Sequence, residues 1–351
     1  MIAYVLGMDA RKLRRWYINS LSGFKQEKES GDLLKNDLKP FKDQVKQKVR
    51  IPIVVPQNIG LHMAIDEKYI NGEYYTILSN RQTTKIALMI KSMYHQEIRA
   101  AITKYFGTKT FMVKTITKDG SDTFDWVART CFPNAIKILD KFHIVRSAFE
   151  HLQSIRINLK QEHLKAVLDT KKDLEKRYHE ALKQAQINGN KKPDKNLYHF
   201  KEPTMSNGET ILEILHRSRY ALYKYPDQWK KSQIQRMEIL FKSFPVLGIA
   251  YEQVCNFRLW YHNNNVGKPI DVLKSQFETW LASVKKSKIQ PIITFGQAVN
   301  SKIGQILNYF YFGYTNAKAE TLNGKISRFI ILNYGVRNID YFTFRLKILF
   351  A

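Results

Sequence analysis

The pattern of apolar residues changes abruptly near Ser147, and that change most limits what this chain can fold into. Between Leu61 and Val145 short apolar runs alternate with turn residues. LHMAIDE, GEYYTILSN and KIALMIKSM read as strands, YHQEIRAAITKYFG as a helix, and FMVKTITKD and AIKILDKF as two more strands flanking the helix SDTFDWVARTCF. Turn-linked strands pair antiparallel and helix-separated strands add in parallel, so the block predicts a mixed α/β sheet with helices on its faces. From Ser147 to Gln290 the strand signals vanish, and apolar residues recur at three- and four-residue spacing, as in LQSIRINLKQEHLKAVLDTKKDLEKRYHEAL. The polar stretch QINGNKKPDKNLYHFKEPTMSNG interrupts these helices as a surface loop.

Ahead of the sheet block, DARKLRRWYINSLSGF reads as an amphipathic helix, and the prolines of IPIVVPQNIG bracket an extended linker or edge strand that ends the region near Pro56. The chain carries 57 Lys and Arg against 31 Asp and Glu, a net charge of +26, which attracts polyanions, nucleic acid first among them. With 44% hydrophobic residues it has the makings of a folded core, which argues against disorder. Cys131 and Cys255 are too few for a disulfide scaffold and lack zinc-site spacing, so a reducing cytoplasm fits. No apolar run approaches the roughly 18 residues of a membrane span, and the start does not read as a signal peptide.

Against this basic background three acids stand out. Asp66 lies inside the apolar strand HMAIDEKY, where a carboxylate is costly unless a cation meets it. Asp119 ends the strand MVKTITKD, at the edge where α/β sheets build their sites. Glu320 opens a helix in TNAKAETLNGK, where complementing the helix dipole is an alternative role. Hard oxygen ligands in a basic setting are what magnesium-dependent phosphodiester chemistry requires. Several neighbours compete with them. Glu67 points to the opposite strand face, Asp122 reads as a cap for the next helix, and Asp140 and His143 are secondary candidates as metal ligands or DNA contacts. Lys118, Lys141, Arg146, Lys318, Lys325 and Arg328 are candidate phosphate contacts, with a solvated charge face as the alternative. Tyr314 and Phe312 are expected to pack in the core rather than stack on bases.

The strings AIDEKYI, TKDGSDTF ahead of FPNAIKILDKFHIVR, ILNYFYFGYTNAKAETLNGKI and NYGVRNIDYFTFRLKIL, in that order, resemble the ISL-three family of bacterial insertion-sequence transposases over residues 61–351. The resemblance implies a ribonuclease-H-like catalytic core of the DDE type, with Asp66, Asp119 and Glu320 as the metal-holding catalytic acids, Mg2+ as cofactor and Mn2+ able to substitute. It also implies an all-helical insertion ahead of the Glu-bearing helix. The spacing agrees, since 53 residues separate Asp66 from Asp119 and 201 separate Asp119 from Glu320. The expected division is therefore a short basic N-terminal region, 1–56, a first core segment, 57–146, a helical insertion, 147–295, and a returning core segment, 296–351.

The activity implied is cutting at transposon ends and joining their 3′-hydroxyls to target DNA, by a homo-oligomer on paired ends of double-stranded DNA. Alternatives are a non-enzymatic DNA-binding relic and a ribonuclease-H-like nuclease or resolvase. Family members usually begin with a cysteine-bearing zinc module, which this chain lacks, so a separate small end-binding protein is the expected partner. In the third motif Thr321 and Gly324 replace the usual Gly and one of two Asn, leaving Asn323 as a further candidate DNA contact.

Overall fold

Six strands form one sheet: β1 (Ile53–Val54), β2 (His62–Ile70), β3 (Glu73–Asn80), β4 (Ile86–Ile90), β5 (Thr115–Lys118) and β6 (Ile136–Leu139). In this computed structural model, which describes residues 2–41, 45 and 47–351, the strand order is β1-β4-β3-β2-β5-β6. β2 and β3 are joined by Asn71-Gly72, both at positive φ (50° and 87°). That conformation is the mirror-image turn that matches strand twist, and Asn-Gly is its favoured sequence. It sets the register Tyr69 to Tyr74 and Asp66 to Ile77, antiparallel. β4 continues the antiparallel side, while β5 joins β2 and β6 joins β5 in parallel. The turn-linked strands are thus the antiparallel ones and the helix-separated strands the parallel ones, as the sequence predicts.

The helices in chain order are α1 (Ile2–Val5), α2 (Ala10–Trp16), α3 (Phe24–Glu29), α4 (His95–Phe106), α5 (Asp122–Cys131), α6 (Lys141–Ile187), α7 (Ile211–Arg217), α8 (Lys231–Ser243), α9 (Pro245–Trp260), α10 (Ile270–Lys286), α11 (Gln290–Ser301), α12 (Ile303–Phe312), α13 (Ala317–Leu332) and α14 (Ile339–Phe350). By their contacts the residues form two compact units, Met1–His143 with Gly304–Ala351, and Ile144–Ile303.

In the first unit both faces of the sheet are buried. Met63, Ile65, Leu78, Leu88 and Ile116 pack against Ile98 and Ile102 of α4 and Phe124 and Val127 of α5. On the opposite face Ile70, Ile77 and Met89 meet Leu322, Ile326 and Phe329 of α13 and Phe342 and Leu346 of α14. Alternate residues of one strand therefore feed two cores, each fully buried side chain contributing about 1.5–3 kcal/mol. With β1 set aside, the order 3-2-1-4-5 with the first three strands antiparallel is that of the ribonuclease-H-like fold. β6 ends two residues before Lys141, sooner than AIKILDKF suggests. The amide of Asp140 makes a last ladder bond to Lys118, and α6 then begins.

The N-terminal segment is part of this unit. Phe24, 5% exposed, wedges its ring edge-on against Tyr341 and Phe344 of α14 at centroid distances of 5.1 and 5.6 Å. The Arg50 guanidinium bridges buried Asp37 (3.0 Å) and Asp340 (2.9 Å), and Asp37 also accepts the Ile51 amide.

The second unit is helical throughout and centres on interlocked rings, Phe257 lying 5.0 Å from both Trp280 and Phe295. Both indoles are anchored, Trp260 donating to the Leu273 carbonyl and Trp280 to that of Gln253. Pro245 separates α8 from α9, occupying the first helical position where its missing N–H costs nothing. Among the described residues no helix is long and apolar enough to cross a membrane.

Because three rings lock α3 to α14, Phe24→Ala is expected to lower stability by about 3 kcal/mol, the usual cost of deleting a buried phenyl. Urea unfolding followed by circular dichroism measures it, and a loss below about 1 kcal/mol would show that the N-terminal segment is not anchored this way.

Candidate active site

The parallel pairing of β2 with β5 sets Ala64 opposite Thr117, and carrying that register two residues on brings Asp119 beside Asp66. Asp66 shares its face with Ile77, the face covered by α13. Its Oδ1 accepts the Glu67 amide at 2.9 Å, and its Oδ2 accepts Nδ2 of Asn323, on α13, at 2.8 Å. Burial pushes the Asp66 carboxyl up to about 6, against the Glu67 hydrogen bond, and the charge of Asp119 adds to the rise. Asp119, equally buried, accepts the Ser121 amide on Oδ1 at 2.9 Å. Ser121, not Asp122, is the N-cap of α5, accepting the Phe124 amide, while Asp122 is exposed in the first helical turn.

Glu320 lies in the first turn of α13, its carboxyl raised by burial and then by the charge of Asp140, with His143 opposing. Asp140 is 1% exposed. Its Oδ1 accepts the Asn316 amide at 3.1 Å and its Oδ2 lies 3.8 Å from Nε2 of His143. Asn316 is fully buried and accepts the Thr117 hydroxyl, so the strand ends of β5 and β6 are tied to the start of the helix carrying Glu320. His143 is the shared neighbour, its charge acting on Asp66, Glu67 and Glu320. The carboxylates thus fall into two groups, Asp66 with Asp119 and Glu320 with Asp140. Among the described residues no three His, Cys, Asp or Glu side chains stand close enough to hold an ion as placed.

Asn316 is the residue that sequence reasoning missed. An Asn just before a helix reads as a cap, yet its side chain makes no capping bond and bonds to Thr117 on β5 instead. Asn323, expected on DNA, holds Asp66. Gly324 faces open space, so replacing an Asn there leaves the α13 packing intact, and the Thr321 hydroxyl bonds back to the Ala317 carbonyl.

The basic candidates separate by exposure. Lys118 is fully buried and its Nζ pairs with Asp125 at 3.0 Å, so it is a structural cation within the sheet edge rather than a phosphate contact. A strand's alternation conceals this, because its apolar neighbours fit either face. Lys141 is half-buried with Nζ 5.4 Å from the Tyr309 ring, and Lys318, Lys325 and Arg328 are exposed. Arg146 lies in the second unit and pairs with Glu150. The Tyr314 ring carries the Arg81 guanidinium at 4.1 Å and meets His62 edge-on, a packed role.

The fold and the two aspartates on adjoining central strands define the class: a ribonuclease-H-like protein with an acidic centre at its strand ends. The ISL-three profile of DDE transposases, described simply as transposase, matches residues 63–346. The chain therefore belongs to the ISL-three family of transposases. No curated protein and no solved structure gives a match.

A carboxyl whose proton is held more tightly when folded favours the folded state below about pH 4, and loses that advantage as pH rises through about 6. Ionised Asp66 therefore costs stability at neutral pH, by up to about 3 kcal/mol for a shift of about two units. Asp66→Asn is expected to melt higher than wild type at pH 7.5, with the difference closing toward pH 4. Differential scanning calorimetry across that range measures it, and a variant that melts lower at neutral pH would refute the burial cost.

Proposed function

We propose that this transposase cuts DNA at the ends of a bacterial insertion sequence and joins the freed 3′-hydroxyls to target DNA. The observation that carries the reading is the placement of Asp66 beside Asp119 on adjoining parallel strands, with Glu320 on the helix that covers the same face. Two buried carboxylates, the charge of Asp119 adding to the burial that raises Asp66, form a set of hard oxygen donors suited to divalent cations. Asp66, Asp119 and Glu320 would hold magnesium, or manganese in its place. Bound there, the cations supply Lewis acidity toward the attacking water or 3′-hydroxyl and the departing oxygen.

The protein's own contribution is positioning. Asn323 and the Glu67 amide fix both oxygens of Asp66, the Ser121 amide fixes one of Asp119, and the Asp140–Asn316–Thr117 chain fixes the start of α13. Reacting groups held in line in this way need no covalent enzyme intermediate. Lys141, His143, Lys318, Lys325 and Arg328 are assigned to DNA contacts of the first unit and Arg146 to a DNA contact of the second, the protein acting in the cytoplasm as a homo-oligomer on paired ends.

Asp66→Asn, Asp119→Asn and Glu320→Gln are each expected to abolish magnesium-dependent nicking of element-end DNA, while duplex affinity stays equal or rises, because each removes a negative charge facing phosphate. Gel assays of strand cleavage and strand transfer with end-bearing duplexes provide the test. Cleavage without transfer would make the protein a nuclease, and DNA binding without any cleavage by wild type would make it a relic.

A further inference from the structure

We propose that an arginine-lined cleft of the first unit, formed by α2 with the end of α13 and the start of α14, is a binding subsite for a backbone phosphate of duplex DNA, separate from the acidic centre. The cleft has a volume of about 70 Å3 and is lined by Arg14, Arg337 and Arg345 together with Asn333, Asn338 and Ile18, with no acidic residue in its wall. That is room for about two waters' worth of liquid, enough for one phosphate group and too little for a base.

Three features of the local structure build it. Tyr334 and Gly335, at φ 53° and 94°, reverse the chain after α13 and bring Arg337 round to the cleft. Arg345 lies over the Phe329 ring at 4.5 Å and donates to Asn333 Oδ1 at 2.6 Å, which fixes the plane of its guanidinium. Arg14 comes from the last turn of α2, itself docked through the α3–α14 rings.

Neither Arg14 nor Arg337 has a carboxylate partner among the described residues. The nearby acid Asp340 is turned away to Arg50 at 2.9 Å. Three like charges gathered without a counter-charge repel one another, and a cluster of that kind is relieved by an anion. Guanidinium forks match phosphate oxygens in geometry as well as charge. In a transposase with a net charge of +26 the polyanion at hand is DNA. The thirteen residue steps from Glu320 along α13 to its C-cap Asn333 span about 20 Å at about 1.5 Å each. That is the length of about six base pairs at 3.4 Å per step, so one short duplex can reach both places.

The subsite rests on the DNA-processing reading above, and its test separates the two. Fluorescence anisotropy of a labelled duplex is read in EDTA, so that cleavage does not intervene, from about 50 to 300 mM NaCl. Arg14 and Arg337 are both exposed, so Arg14→Gln with Arg337→Gln is expected to melt as wild type does. That double variant is expected to bind about tenfold more weakly near 0.1 M salt, with the slope of log K against log salt reduced by about 0.9, the signature of one lost phosphate contact. Arg14→Lys with Arg337→Lys is expected to restore the slope.

A control pair, Lys171→Gln with Lys172→Gln on the exposed face of α6, is expected to leave the slope unchanged. An unchanged slope in the arginine double variant overturns the subsite and leaves the catalytic reading standing. An equal loss in the lysine control overturns it too, by assigning the effect to the general field. Cleft-dependent binding by a wild-type protein that never cuts keeps the subsite and overturns the catalytic reading.

Discussion

Everything at the candidate centre depends on one pairing, the parallel register of β2 with β5. It brings Asp66 and Asp119 together in a buried setting, where the repulsion of like charges that water would screen becomes costly. The sheet holds it because both faces are packed, with α4 and α5 on one side and α13 and α14 on the other. A strand gripped on two faces and by two neighbours cannot slip to separate the charges, since a one-residue slip would also turn Ile65 and Ile77 onto the wrong faces. Stability invested in those cores is what keeps an unfavourable local electrostatic arrangement in place.

Around that pair runs a second, polar layer. Asp140, Asn316 and Thr117 tie the ends of β5 and β6 to the beginning of α13, and Asn323 ties the next turn of the same helix to Asp66. The helix that carries Glu320 is thereby located by hydrogen bonds at its start and by Leu322, Ile326 and Phe329 along its buried side. His143, at the first turn of α6, lies near enough for a positive charge there to oppose the rise that burial causes in Asp66, Glu67 and Glu320.

Much of this was legible in the sequence. The run of strands, their antiparallel or parallel sense and the switch to helical periodicity follow from turn residues and apolar spacing, which are local properties. The positions of Asp66 at mid-strand and Asp119 at a strand end were visible for the same reason. Lys118 was misread because alternation says which residues share a face but not whether that face is covered. α5 covers it and supplies Asp125 as its partner. The last residues of AIKILDKF were misassigned because Asp140 and Lys141 have no strong preference of their own, and the ladder bond to Lys118 decides where β6 stops.

What the sequence by itself determined is the set of elements and the chemical types placed on them: an α/β block interrupted by helices, one acid inside a strand, one at a strand end and one at a helix start, and a basic surround. Tertiary structure alone decided which of those groups meet. Asp66 and Asp119 are 53 residues apart, and Asn323 lies 257 residues beyond Asp66, yet the three converge. So do Arg14 and Arg337. Periodicity is set by residues a few positions apart, whereas proximity across hundreds of residues is fixed by sheet register and by which helix covers which face, and no short window of sequence contains either.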